Sequence, residues 1–448
     1  MSETSVTKQL AAWTVDLKYK DIPASVQAEG VRTFVNWLGC AIGGSNHETV
    51  DRALAVAVPF SGPKRASVIG RKERLDELHA ALINGISSHV LDYDDTHLKT
   101  IVHPAGPVAS AILAVAEERG VSGKDFLTAL IAGVEVECRI ANCVYPDHYD
   151  RGWHITGTAG VFGAAAAVGK LLKLNKQQMT WAFGLAATQS SGLREMFGTM
   201  TKSFHPGRAA QNGAMAAFLA KANYDSSERG IEAPRGFANV LSTKQDYNEI
   251  LGQLGEVWEA GLNTYKPYAC GIVIHPTIDG CEQLKRKLGN RVKAIRSVDL
   301  VAHPLVLELT GKKTPKTGLE GKFSVYHAAA AALLRGDGTP TAFTDEAVRN
   351  KAIVALRDKV SAVADKSVHE DAVHITVTLE DGSVEKLHVE HAVGSLEKPL
   401  SNEAITEKSA KQSGPILGDK ATAKLIATAW KLADLDDVSV VARASRKK

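Results

Sequence analysis

From the N-terminus to about residue 260 the apolar residues of this chain recur at helical spacing, and almost no segment alternates as a half-buried strand does. In SVQAEGVRTFVNWLGCAI (25–42), Val31, Phe34, Val35, Leu38 and Ile42 form one apolar stripe. Helix-length runs recur at 77–90, 105–119, 124–143, 157–173, 176–190, 209–222 and 247–254, many of them separated by Gly, Ser, Asn or Asp. Ala and Gly crowd into them, as in GTAGVFGAAAAVGKLL (157–172), which predicts closely approaching, buried central helices. Such a stretch can fold only as a large helical body.

The texture changes near Gly261. A helix at 276–289 leads into VKAIRSVDLVAHPLVLEL (292–309), helices follow at 323–335 and 344–357, and HITVTLEDGSVEKLHVE (374–390) reads as a hairpin turning at Asp381-Gly382. From about Asn402 to Leu435 the pattern is helical again. The expected fold is mainly α. A large all-α domain made from both chain ends (1–262 plus 398–448) carries an inserted α+β lid domain (263–397), with room for a site between them.

Composition narrows the function. With 53 basic and 50 acidic residues in 448, the net charge of +3 gives a nucleic acid little to bind, and the basic tail Arg443, Arg446, Lys447, Lys448 reads as a solvated end. No run approaches the roughly 20 apolar residues of a membrane span, and the start MSETSVTKQLAAWTVDLKYKDIP has no secretory apolar core. Five scattered cysteines (40, 138, 143, 270, 281) suggest a reduced compartment, so a cytoplasmic protein is expected.

Polar islands interrupt this apolar chain. HVLDYDDTH (89–97), followed by His103-Pro104, sets three carboxylates among histidines. It reads either as a cap and solvated turn or as a site in which histidinium, metal or backbone N–H groups offset the charge. No helical His-x3-His or Cys-x2-Cys pair favours a metal, and an iron–sulfur cluster lacks its thiolates. RGWHITGT (151–158) opens the Ala/Gly helix with His154, which is either structural or functional. GTMTKSFHPGR (198–208) is a cationic loop with Lys202, His205 and Arg208, suited to carboxylates. KPYACG with His275-Pro276 marks the domain junction, and FSVY (323–326) opens a helix of the inserted block. No GxSxG, GxxxxGK[ST] or GxGxxG motif is present.

Taken in order, LDYDDTH with HPAGP, GWHITGTAGVFGAA, FGTMTKSFHPGRAAQNG, KPYACG…HP, EGKFSVYH and GSLEKPLS resemble the MmgE/PrpD family over about 310 residues. That family contains 2-methylcitrate dehydratases, cis-aconitate decarboxylases and iminodisuccinate epimerases. The resemblance implies a homodimer with an interdomain active site, no cofactor and no metal, acting on a small di- or tricarboxylate. The family's decarboxylase site falls on Asp92, Thr96, His103, His154, Lys202 and Tyr326. His103 is then the general acid/base set by Asp92. Lys202, His154, Arg208 and His275 bind carboxylates, Thr96 adds a neutral hydrogen bond, and Tyr326 closes over the substrate from the lid or donates a second proton. Dehydration or decarboxylation is the first expectation. Epimerisation by two bases is the alternative, and a non-catalytic carboxylate-binding protein is the rival from another class.

Overall fold

The computed structural model describes residues 5–447, so Lys448 of the basic tail and Met1–Thr4 of the start lie outside the described residues. The fold is mainly α, as expected. Helices Ala24–Gly44, Glu77–His89, Ala105–Ala116, Gly123–Val144, Ile155–Leu171 and Thr201–Lys221 form the central bundle. Gly133 and Gly163 show why small residues were needed. A Cβ on either would fall within 2.8 Å of the other's carbonyl oxygen, so the two backbones touch. Trp37, Phe34, Phe126, Phe162 and Phe183 fill the wider gaps and are fully buried.

Two hydrophobic cores organise the chain. One joins these helices to Leu400, Ile405, Leu425, Ile426 and Val441 of the C-terminal helices, and helix Asn402–Leu417 packs on Ala24–Gly44. The other gathers residues 268–389, with Cys40 and Tyr93 contributed by the helical part. It holds a four-stranded sheet in the order Val360–Ala364, Ile295–Ala302, Val373–Leu379, Val384–Val389, the first pair parallel and the others antiparallel. The hairpin turns where Asp381-Gly382 predicted, with Gly382 at φ +83°.

Several boundaries differ from expectation. The 292–309 run breaks at His303-Pro304 into strand Ile295–Ala302 and helix Pro304–Thr310, because His303 Nδ1 accepts from Leu305 N and caps the helix. The helix at 344–357 splits at Asn350, whose side chain accepts from the N–H groups of Ala352 and Ile353. The helix at 247–254 shrinks to Asn248–Leu251, and strand Val360–Ala364 was not anticipated. Residues 198–208 are not a loop throughout, since a helix begins at Thr201 and includes Pro206.

Candidate active site

Two unrelated contacts bring the polar islands together. Helices Glu77–His89 and Thr201–Lys221 cross at Gly85 and Gly207. A Cβ on Gly207 would lie 2.4 Å from Leu82 O, and one on Gly85 would lie 2.5 Å from Gly207 Cα. This backbone contact sets Lys202 beside the segment that follows His89. From the other side, Asp95–His97 pairs antiparallel with Asn263–Tyr265, which delivers Lys266 to the same place.

Asp92 is the point of convergence. Its Oδ2 accepts from Lys202 Nζ at 2.8 Å and its Oδ1 from Lys266 Nζ, and all three residues are buried. Burial alone would raise the Asp92 pKa, but the two ammonium groups hold it well below the usual carboxylate range. Burial lowers Lys202 against the opposing pull of Asp92, whereas at Lys266 the Asp92 charge prevails and raises it. Asp92 has φ +50° and Ile101, on the same cavity, has φ +58°. Left-handed backbone costs a non-glycine residue on the order of 1–3 kcal/mol, and such strain concentrates at functional sites.

The histidines are oriented from behind. His103 Nδ1 donates to Asp95 O at 2.7 Å, with Thr96 Oγ1 at 3.2 Å, and a carbonyl can only accept, so Nε2 carries the lone pair. The His103 N–H donates to Thr156 Oγ1. His89 Nδ1 meets Asp94 Oδ2 at 2.6 Å, and His154 Nδ1 meets His205 Nδ1 at 2.8 Å. Burial lowers all three pKa values, most at His103 and His154, so the imidazoles rest neutral. Burial and the neighbouring Asp94 raise Asp95 to about 7, while its Oδ2 accepts from Asn263 Nδ2 and from Ala105 N. The carboxylates are therefore buried groups rather than a solvated turn.

A cavity of about 30 Å³ is lined by Asp92, Ile101, His103, Tyr149, His154, Phe197, Lys202, Lys266 and Phe323, among others. A second, of about 10 Å³, adjoins it at Asp92, Lys202 and Phe323 and reaches His89, Ser203 and Lys322. These spaces admit water but not a tricarboxylate. Phe197 and Phe323 stack across the wall with centroids 5.4 Å apart, and Lys202 Nζ lies 5.3 Å from each ring.

Four expected residues, Asp92, His103, His154 and Lys202, thus line one cavity, and Thr96 touches it through His103. The expected partner of His103 is corrected. Asp92 is held by two lysines, and a main-chain carbonyl fixes the His103 tautomer instead. Tyr326 does not line the cavity, because it turns into the second core with Lys313 Nζ 5.8 Å from its ring. Arg208 is exposed and donates to Gln211. His275 is buried against Tyr268, off the cavity, and burial lowers its pKa to about 3. Sequence reasoning gave no role to Lys266, Lys322 or His89. Lys322 is buried, donates to Leu91 O and Ala269 O, and is lowered by burial to about 8. Among the described residues, two groups bring metal-ligating atoms within 4.8 Å of one another: His89, His103 and His154, and the less buried Asp371, His391 and Glu397.

This arrangement can hold carboxylates on lysines and move a proton at His103 Nε2. The MmgE/PrpD N-terminal domain matches residues 8–250 and the MmgE/PrpD C-terminal domain residues 268–432. The chain is 28% identical to the cis-aconitate decarboxylase-like protein oryM of Aspergillus oryzae, covering 98% of this chain and 96% of that protein. It is 26% identical to the cis-aconitate decarboxylase of Homo sapiens (98% and 94%) and 24% identical to the 2-methylcitrate dehydratase of Escherichia coli (80% and 79%). With both domain models matched across most of its length, the chain belongs to the MmgE/PrpD family.

Proposed function

We propose that this protein is a cofactor-independent lyase that decarboxylates a small unsaturated tricarboxylate such as cis-aconitate. The observation that carries the reading is His103, whose Nδ1–H is committed to Asp95 O, beside Lys202 and Lys266 on one cavity. The decarboxylase relatives match this chain over 98% of its length and the E. coli dehydratase over 80%.

Lys202 and Lys266 bind substrate carboxylates, sharing their charge with Asp92. A polyanion beside His103 opposes the desolvation that depresses its pKa, so histidinium forms with substrate in place. The C–CO2 bond then breaks and its electron pair passes into the conjugated alkene and carboxylate. His103 Nε2 gives its proton to carbon as CO2 leaves. The resting neutral His103 also suits abstraction of a proton α to a carboxylate, which favours dehydration of a 2-methylcitrate-like substrate as the second reading. His154 on the same cavity would be the second base required for epimerisation.

The cavity is too small for any of these substrates, so the 263–397 block acts as a lid that opens. Its first residues stay anchored to the helical part, with Asn263–Tyr265 paired to Asp95–His97 and Lys266 on Asp92; beyond them, opening would break ties such as Lys322 to Leu91 O, Tyr93 to Pro267 O, Arg194 to Glu308 and the Phe197–Phe323 stack. Phe204 and Met215, exposed on helix Thr201–Lys221, offer apolar surface for the homodimer. Proton NMR in D2O with cis-aconitate, 2-methylcitrate and an iminodicarboxylate tests the reading. Loss of a carboxylate with one solvent deuteron fixed on carbon supports it. Alkene formation from 2-methylcitrate alone would move it to a dehydratase, and deuterium exchange without net change to an epimerase.

A further inference from the structure

We propose that His89, His103 and His154 bind one divalent transition ion of the zinc class at the place where the lyase reaction moves its proton. One ring nitrogen of each lies within 4.8 Å of those of the other two, and all three rings are buried. The Nδ1 atoms are occupied: by the Asp94 carboxylate at His89, by Asp95 O at His103 and by His205 at His154. Each Nε2 is therefore the atom left to coordinate. His89 Nε2 is buried without any hydrogen-bond partner, a lone pair that the fold leaves unanswered. The carboxylate behind His89 and the carbonyl behind His103 are the kind of partners that orient histidines around an ion, and His205 fills that place at His154.

The geometry is close to what the ion requires. Bonds of about 2.0–2.1 Å in a tetrahedron set nitrogens roughly 3.4 Å apart, so the rings need to move inward by only about 1 Å. Their centroids lie 4.9, 5.9 and 6.3 Å apart. The local charge permits a cation. Asp92 offsets one of the two charges of Lys202 and Lys266, and the Asp94 carboxylate behind His89 offsets the other. Three imidazoles and no carboxylate oxygen select zinc, cobalt, nickel or copper over magnesium and calcium. An ion there takes the lone pair of His103, so it inhibits the reaction; that consequence, unlike the binding, rests on the function proposed above.

The full-length protein, stripped of metal, is titrated with cobalt(II) and then with zinc sulfate. One equivalent of cobalt should give visible bands of a tetrahedral nitrogen site without thiolate charge transfer, and zinc should displace it. Zinc-edge absorption of the unmutated protein should show imidazole nitrogens and no sulfur, which needs no variant to fold. His89→Gln should weaken binding tenfold or more. So should Asp94→Asn, which leaves the ring in place and removes the negative charge behind it. His391→Gln should leave binding unchanged. Absence of stoichiometric binding, a sulfur ligand, or loss of binding in His391→Gln but not in His89→Gln would overturn the site. Zinc that binds these histidines yet leaves turnover intact would uphold the site and remove His103 from the chemistry.

Discussion

Lys202 Nζ lies 2.8 Å from Asp92 Oδ2, a buried ion pair that joins a helix to a strained turn 110 positions earlier in the chain. Lys266 holds the other oxygen, so one carboxylate is shared by two ammonium groups. A lone Asp–Lys pair would be neutral and indifferent to an anion. The second lysine leaves one positive charge for the substrate, at a spot that would otherwise cost heavily to keep dry.

Lys202→Met keeps the stem between Phe197 and Phe323 and removes the charge, while Lys266 continues to hold Asp92. A lost charge-assisted hydrogen bond costs about 1.5–3 kcal/mol, so a polycarboxylate inhibitor should bind roughly ten to a hundred times more weakly. Titration calorimetry reads this directly. Unchanged affinity would place the anion elsewhere.

Tyr326 leads to a different expectation from the one its motif suggested. Since it lies off the cavity, Tyr326→Phe should lower turnover less than about threefold with the fold intact, well short of the 10²-fold scale of a lost acid or base. A hundredfold drop at unchanged melting temperature would mean that opening and closing of the 263–397 block carries the hydroxyl to the substrate.

His148 sets a pH dependence of stability. It is buried against Trp153, hydrogen-bonded to Leu241 O and Thr158, and burial lowers its pKa to about 4 from an ordinary 6.5. The unfolded chain takes up a proton below pH 6.5 and the folded one does not until near pH 4. Stability is therefore fully present above 6.5 and falls as the pH drops toward 4. Between pH 7.5 and 5.5 this group should account for about 1 kcal/mol of the loss. Urea unfolding of His148→Gln at the two pH values should show a shallower decline by about that amount.

Turnover should survive EDTA, because lysines and a histidine supply the charge and the proton that the proposed reaction needs. Activity lost on chelation and restored by a divalent ion would make the three-histidine cluster a catalytic centre instead of an inhibitory one.

Much of this was legible in the sequence. The helical period of residues 25–260, the Asp381-Gly382 hairpin and the polar islands around Asp92, His103, His154 and Lys202 each carry a local signal, and their order identified the family. What could not be read depends on partners distant in sequence. Asp95–His97 and Asn263–Tyr265 are three-residue strands, too short to show a period, yet their pairing delivers Lys266 to Asp92. The Gly85–Gly207 contact that sets Lys202 has no signature in either segment alone. The position of Tyr326 off the cavity was not legible either, because its place in a motif says nothing of which way the helix Val325–Arg335 turns it.

The most direct measurement is the turnover of His103→Ala in the D2O assay, with its melting temperature as a control. His103 as the proton carrier requires a fall of about 10²-fold or more while the protein stays folded. An unchanged rate in a folded His103→Ala protein would contradict the proposed chemistry.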